Sequence, residues 1–400
     1  MIRLLFYSPV FPPSIGGVET IVYSLATGLS ELRDDNGALR FQITFVTQTK
    51  QENFDDENLP FHIFRNLTFF MLFNLIRASD VVHIACPAFV PMCIALLLGK
   101  ATVVEHHGFQ NICPTGQLLQ EPAGVPCPGH FMKGNYGQCL RCRTNKNWQN
   151  SLKQLLSTWV RRFLTSRVFA NVMPTSHLGN LIQIPNAITI HHGIPIRPQE
   201  NNQLCSRLIE LPVRLVYQGR MVSSKGIGTL IEAVSVLHQK KCDFRLVVIG
   251  DGPEKNKMER RAIKLGIDHL VRFAGRCETS DIETIMSLSH ILIVPSLAGE
   301  VFGLVVAENM ARGMAIVCSD IGAFSEVLGS SGKVFCAGDA SDLAEKLETL
   351  IHNPDQITRL GRQSQERAYE YFNRLKMIND HATLYQNAWA SRMQNHAKYK

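Results

Sequence analysis

The stretch Gly299 to Glu308, G-E-V-F-G-L-V-V-A-E, sets two carboxylates, Glu300 and Glu308, in otherwise apolar company. Glutamate rarely sits in such surroundings unless something pairs with it. A helix-like run begins at Gly303, which puts Glu300 before the helix and Glu308 inside it. The N–H groups of Phe302, Gly303 and Leu304 would then point at an anion. Glu300 suits sugar hydroxyls. Glu308 suits a vicinal diol such as ribose, because a carboxylate accepts two hydrogen bonds side by side. The plainer alternative is a capping glutamate followed by an ordinary helix glutamate.

Three other stretches carry comparable chemistry. Y-Q-G-R-M-V-S-S-K-G (217–226) ends a strand with two cations, Arg220 and Lys225, in a glycine loop. Such a pair can clamp a diphosphate, the guanidinium as a fork and the ammonium as a point charge; otherwise they are two solvated cations. P-P-S-I-G-G-V-E (12–19) follows the first strand and opens a helix, so Gly16 and Gly17 would let the backbone approach an anion. Its spacing is not the dinucleotide G-x-G-x-x-G, and it also reads as a plain turn. V-V-E-H-H-G-F (103–109) ends a strand with His106 and His107, whose imidazoles can steady a transferring group or serve structure alone.

Cysteine spacing raises a different chemistry. Cys113, Cys127, Cys139 and Cys142 form C-x13-C-x11-C-x2-C in a segment rich in Gly, Pro and Asn and poor in apolar residues. That segment cannot build a core, and four thiolates around a structural Zn²⁺ would hold it. Two disulfides or unligated thiols are the alternatives. The chain has eleven cysteines, an odd number, and its first residues do not read as a signal peptide, which disfavours a disulfide framework.

The elements that must position these residues alternate strand-like and helix-like runs. Strands are expected at 2–7, 41–47, 81–85 and 101–106, and again at 213–218, 244–250, 271–275, 291–295, 315–319 and 333–336. Helices between them, for example Gly228 to His238 and Ser341 to Ile351, predict parallel sheets covered on both faces. Four hundred residues exceed one ordinary core, so the expectation is an α/β chain of two Rossmann-like doubly wound domains. The polar, proline-containing run 195–203 reads as the linker. The expected domains are 1–195, with a Cys-rich insert at 109–147, then 205–375, and a C-terminal helix at 376–400. Two such domains imply a cleft, with ligands beyond the carboxyl ends of the strands.

Composition narrows the partners. Apolar residues make 45% and charged residues 19%, a globular pattern, and the net charge of +7 suits an anionic ligand. No zinc-finger, recognition-helix or RNP pattern is present, so no nucleic-acid partner is expected. Val81 to Gly99 lacks Asp, Glu, Lys and Arg, but two prolines make it a strand–turn–helix rather than a membrane span. The expected location is cytoplasmic. Residues 148–167 carry an apolar stripe flanked by Lys153, Arg161, Arg162 and Arg167. That stripe packs on the first domain or lies on an anionic lipid surface, which would make the protein peripheral on the membrane.

Taken in order, these motifs resemble the retaining glycosyltransferases of family 4, which have the GT-B fold and include bacterial enzymes of surface-polysaccharide or lipid-linked glycan synthesis. The matching runs are G-G-V-E, G-R-x4-K-G, V-V-I-G-D-G-P-E, F-x-G, Glu-x7-Glu, E-N-M-A-R-G and A-Y-E-Y-F-N-R, across nearly the whole chain. The resemblance implies transfer of a hexose from a UDP- or GDP-sugar to a glycan or lipid-linked saccharide. Arg220 and Lys225 would bind the donor diphosphate, Glu300 the donor sugar, Glu308 the ribose, and the amides of Phe302 to Leu304 the β-phosphate. Gly16 and Gly17 would line the phosphate side, Cys277 would fall where the backbone meets the base, and His107 would lie near the moving sugar. The chain departs from the pattern at Ala323, at the proline-free G-M-A-I-V, and at His192, where Asn is usual; the doubled histidine leaves His106 as an alternative to His107. No Asp-x-Asp is present, so no catalytic cofactor or metal is expected. The rival readings are a nucleotide-sugar epimerase of the same fold and a non-catalytic sugar-nucleotide-binding subunit.

Overall fold

The computed structural model describes all residues except 53, 121–123, 143–146, 197–208 and 399–400, together with the side chains of 395–398. In chain order the elements are β1 (Ile2–Ser8), α1 (Gly17–Glu31), β2 (Phe41–Thr47), β3 (His62–Arg65), α2 (Phe69–Ala78), β4 (Val81–Ala85), α3 (Phe89–Leu97), β5 (Ala101–Glu105), β6 (Leu119–Gln120), β7 (Val125–Pro126), α4 (Tyr136–Arg141), α5 (Trp148–Thr165), β8 (Ala170–Met173), α6 (Ser176–Ile182) and β9 (Ala187–Thr189). They continue as β10 (Val213–Gln218), α7 (Ile227–Gln239), β11 (Phe244–Ile249), α8 (Lys255–Lys264), β12 (Val271–Gly275), α9 (Thr279–Leu288), β13 (Ile291–Val294), α10 (Leu304–Ala311), β14 (Ala315–Ser319), α11 (Phe324–Leu328), β15 (Lys333–Phe335), α12 (Ala340–Ile351), α13 (Pro354–Tyr371) and α14 (Arg374–Lys398).

The chain divides into two compact units. The first comprises 1–117, 128–193 and 373–400, and the second 118–127 and 194–372. Among the described residues, unit 1 holds a seven-stranded parallel sheet in the order β3-β2-β1-β4-β5-β8-β9, and unit 2 a six-stranded parallel sheet in the order β12-β11-β10-β13-β14-β15. In both, chain order reverses beside the first strand, between β1 and β4 and between β10 and β13. That reversal is the topological switch point of a doubly wound fold, where the carboxyl ends of neighbouring strands splay their loops apart. The expected parallel sheets are therefore present, with strand ends within a residue or so of the expected ones.

The strands are apolar on both faces because helices cover both. All five residues of β14, A-I-V-C-S, are buried, as are all four of β13, I-L-I-V. Each such Val, Ile or Leu contributes roughly 1.5–3 kcal/mol on burial. Helix starts are fixed by local chemistry: Asp339 accepts from the Ser341 and Asp342 amides at α12, and Asn353 precedes Pro354 at the start of α13. The C-terminal helix, expected at 376–400, is α14 and starts at Arg374, separated from α13 by Phe372 and Asn373. Helix α14 completes the core of unit 1. Its Tyr385 hydroxyl meets His83 Nδ1 at 2.9 Å, and Arg374 Nε donates to Ser24 Oγ at 2.8 Å. Gly193 lets the start of α14 approach closely, since a Cβ there would lie 2.6 Å from Arg374 Cα. The linker residues 197–203 lie outside the described residues.

Candidate active site

In unit 2 the structure brings together one cation and one carboxylate read from the sequence, Lys225 and Glu300. Lys225 follows β10 and Glu300 follows β13, the two strands at the switch point, and the Lys225 ammonium pairs directly with the Glu300 carboxylate. Ser296 Oγ donates to the same Glu300 oxygen at 3.1 Å. Backbone crowding seats this pair. Gly226 has φ +66°, and a Cβ on it would lie 1.7 Å from the Pro295 carbonyl oxygen. The Leu297 amide then donates to the Ser224 carbonyl at 2.7 Å, which ties the two loops together.

The loop after β11 braces the same place. The Met221 amide donates to Asp251 O at 2.9 Å, and the Glu254 amide donates back to Met221 O at 3.1 Å. Arg220 stands exposed between these anchors, and its guanidinium has no partner among the described residues. Phe302 is buried, Gly303 takes the N-cap of α10, and no side chain caps that end. Glu308 sits in the second turn of α10; burial pushes its carboxyl up, against the pull of Arg312 and with a push from Glu283. Cys277 follows β12, half-buried, with Sγ 3.7 Å from the Gly275 carbonyl.

In unit 1, Gly16 is the extended N-cap of α1 and Gly17 its first residue, again with no side-chain cap. The fifth strand stops at Glu105, one residue before its expected end, and this separates the two histidines. His106 Nε2 meets Asn171 Oδ1 at 3.0 Å in the core, and burial takes its pKa down to about 4. His107 turns the other way and stacks on His192 with centroids 5.1 Å apart. Both approach Glu105, as do His83 and His381. This carboxylate cluster was not legible as a site in sequence. Its members are scattered over 83–381, and the only hint was an acid at the end of an apolar strand.

The geometry can now be set beside known proteins. The family model described as glycosyl transferases group 1 matches residues 206–367. An uncharacterized glycosyltransferase of Methanocaldococcus jannaschii is 30% identical over 270 residues, covering 67% of this chain and 70% of that one. The chain belongs to the group 1 glycosyltransferases.

Other similarities are narrower. A phosphatidyl-myo-inositol mannosyltransferase of Mycobacterium leprae is 28% identical over 171 residues, covering 42% of this glycosyltransferase and 45% of the relative. The chain spans about half the length of this and another curated relative. Among solved structures, that of Anabaena HepE in complex with UDP and glucose has a TM-score of 0.69 at 16% identity, covering 97% of this chain and all of that one. Likeness at that identity concerns the fold, which is the two-domain α/β architecture of GT-B glycosyltransferases.

In this glycosyltransferase the Cys-rich segment does not behave as one piece. Cys113, Cys139 and Cys142 belong to unit 1 and Cys127 to unit 2. Among the described residues, the His, Cys, Asp and Glu groups whose ligand atoms come within 4.8 Å of one another are Glu105–His107–His192 and Cys242–Glu348–His352. The three cysteines of unit 1 form no such group, so the fit to zinc rests on sequence spacing.

The stripe on α5 is split between the core and the surface. Its core-facing positions are Ser151, Leu155, Thr158 and Thr165, whereas Trp148 (69%), Leu156, Trp159, Val160 and Phe163 (57%) are exposed. Two of its flanking cations point inward: Arg161 donates to the Pro87 and Gln110 carbonyls, and Arg162 to those of Ile182 and Gln183. No helix among the described residues is long and apolar enough to cross a membrane.

Proposed function

We propose that the chain is a retaining hexosyltransferase that moves a hexose from a UDP- or GDP-sugar to a glycan or a lipid-linked saccharide, without a metal in the transfer step. The observation that carries this reading is the Lys225–Glu300 pair at the β10/β13 switch point, beside the uncapped start of α10. The anomeric C–O bond breaks and the nucleoside diphosphate leaves with the electron pair. Lys225 and Arg220 meet the charge that develops on it, and the partial positive charge of the α10 terminus adds to them. Glu300 holds sugar hydroxyls, and Glu308 accepts the ribose diol. The acceptor hydroxyl attacks from the face the diphosphate leaves, and its proton passes to a departing phosphate oxygen. Gly16 and Gly17 line the phosphate side, the backbone at Cys277 meets the base, and His107 lies near the sugar.

The relatives support the choice of substrates. The HepE structure holds UDP and glucose, and the M. leprae protein is named for mannosyl transfer to a phosphoinositide. The exposed apolar face of α5 supports a cytoplasmic enzyme that rests on a membrane by shallow insertion of Trp148, Trp159 and Phe163. A structural Zn²⁺ at Cys113, Cys127, Cys139 and Cys142 is supported by sequence spacing alone.

Nucleoside diphosphate release, measured across UDP- and GDP-sugars with and without saccharide acceptors, tests the reading. Acceptor-dependent release with an axial product anomer from an axial donor is expected, at a rate indifferent to added Mg²⁺ or Mn²⁺. A rearranged sugar formed without acceptor would make the chain an epimerase, and binding without turnover would make it a binding subunit. Co-sedimentation with anionic vesicles tests the membrane contact, with loss expected in Trp159→Glu and Phe163→Glu.

A further inference from the structure

The buried carboxylate of unit 1 poses a problem that sugar transfer does not solve. Glu105 is 0% exposed, and imidazole nitrogens at 3.3–3.9 Å are the polar groups that face its oxygens among the described residues. An ionised carboxylate left so costs several kcal/mol unless a positive charge meets it. Its neighbours are imidazoles. His83 Nε2 lies 3.3 Å and His107 Nε2 3.6 Å from Oε2, and His192 Nε2 lies 3.5 Å from Oε1.

We propose that Glu105, His107 and His192 bind one divalent transition-metal ion, with Zn²⁺ the best match for a set of two imidazoles and a carboxylate. Their ligand atoms all lie within 4.8 Å of one another, in the interior of a single unit. Two ligands on tetrahedral zinc, each about 2.0–2.1 Å from the ion, stand about 3.4 Å apart. The His107–Oε2 and His192–Oε1 separations, 3.6 and 3.5 Å, are each close to that spacing, one on each oxygen of the carboxylate.

The surrounding groups suit the same ion. His381 Nδ1 donates to the Met377 carbonyl at 2.9 Å, since a carbonyl can only accept. A neutral His381 therefore turns a lone pair, not a proton, toward Glu105 Oε2 at 3.9 Å, and cannot relieve the carboxylate. Tyr385 can donate its hydroxyl proton to His83 Nδ1, which leaves His83 Nε2–H directed at Glu105 and steadies the ligand carboxylate from behind. Two imidazoles and one carboxylate leave a fourth position open on the ion.

His107 is shared with the proposed sugar site, so the test reads metal content and not turnover. That content is measured by plasma mass spectrometry in the full-length protein purified in metal-free buffers. One equivalent of zinc is expected that survives the Cys139→Ser/Cys142→Ser double variant and is lost in His192→Ala and in the near-isosteric Glu105→Gln. Zinc content that vanishes with the cysteines, or that is unchanged in Glu105→Gln, overturns the proposal. If both site variants fail to fold, the cysteine double variant, with the site intact, still decides. After chelation and refilling with Co²⁺, the site should show visible ligand-field bands without the near-ultraviolet band of thiolate ligands in the cysteine double variant. Absence of those bands overturns the proposal as well.

Discussion

At the scale of single residues, the two glutamates of the opening motif lie in different environments. Glu300 is already paired, with Lys225 and Ser296, so its charge is balanced before any ligand arrives. Lys225→Met should therefore lower kcat/KM by about 10²–10³, the range for losing one group that stabilises developing charge, with Glu300→Gln comparable and the double variant less than additive. Steady-state kinetics with the true donor checks this. Among the described residues Glu308 has no comparable partner, and burial raises its carboxyl, so the protonated form is favoured by the fold. Its neutral form stabilises the protein below the ordinary carboxylate pKa of 4.5, and that contribution is lost as pH rises through the raised value. Glu308→Gln should accordingly melt about 2 °C above wild type at pH 7.5, and the gap should close as pH falls to the ordinary carboxylate range. The same variant should bind the donor more weakly. Thermal denaturation against pH, with and without nucleotide, reads both.

At the scale of elements, the site is made by loops that approach each other more closely than a side chain permits. Gly226 is the clearest case, with its positive φ and the Pro295 carbonyl where a Cβ would be. Gly226→Ala should destabilise unit 2 by about 2–4 kcal/mol and remove nucleotide binding, because the Lys225 loop can no longer seat on the end of β13. Far-ultraviolet melting and nucleotide titration would show it. The motifs G-R-x4-K-G and Glu-x7-Glu were legible in the chain because each is contiguous, and each loop sits at the end of an apolar strand that announces itself. The inward course of Arg161 and Arg162 was not legible. Periodicity marks a stripe on α5 but not which neighbour covers it, and here small polar residues face the core while the large apolar ones face out.

At the scale of the whole molecule, the chain returns to where it began. Unit 2 is almost continuous in sequence, whereas unit 1 needs its last segment: Tyr385 of α14 lies fully buried against His83, and a Cβ on Gly28 of α1 would lie 2.1 Å from Ile378. A fragment of residues 194–372 should fold cooperatively and bind nucleoside diphosphate. A fragment of residues 1–193 should not fold until a 373–400 peptide is added, as circular dichroism and amide exchange would reveal. A self-sufficient 1–193 fragment would show that α14 is dispensable to that core.

The sequence alone determined the two parallel sheets and the placement of glycine-bounded charges at the ends of their strands. Those are properties of local pattern: apolar runs long enough to be strands, and glycine-bounded charges where they end. The tertiary structure decided what no local pattern contains. It brought Glu105 together with histidines from positions 83, 107, 192 and 381, and it turned His106 away from His107. A buried charge is identified by what surrounds it in space, and in unit 1 those neighbours come from nearly the full length of the chain.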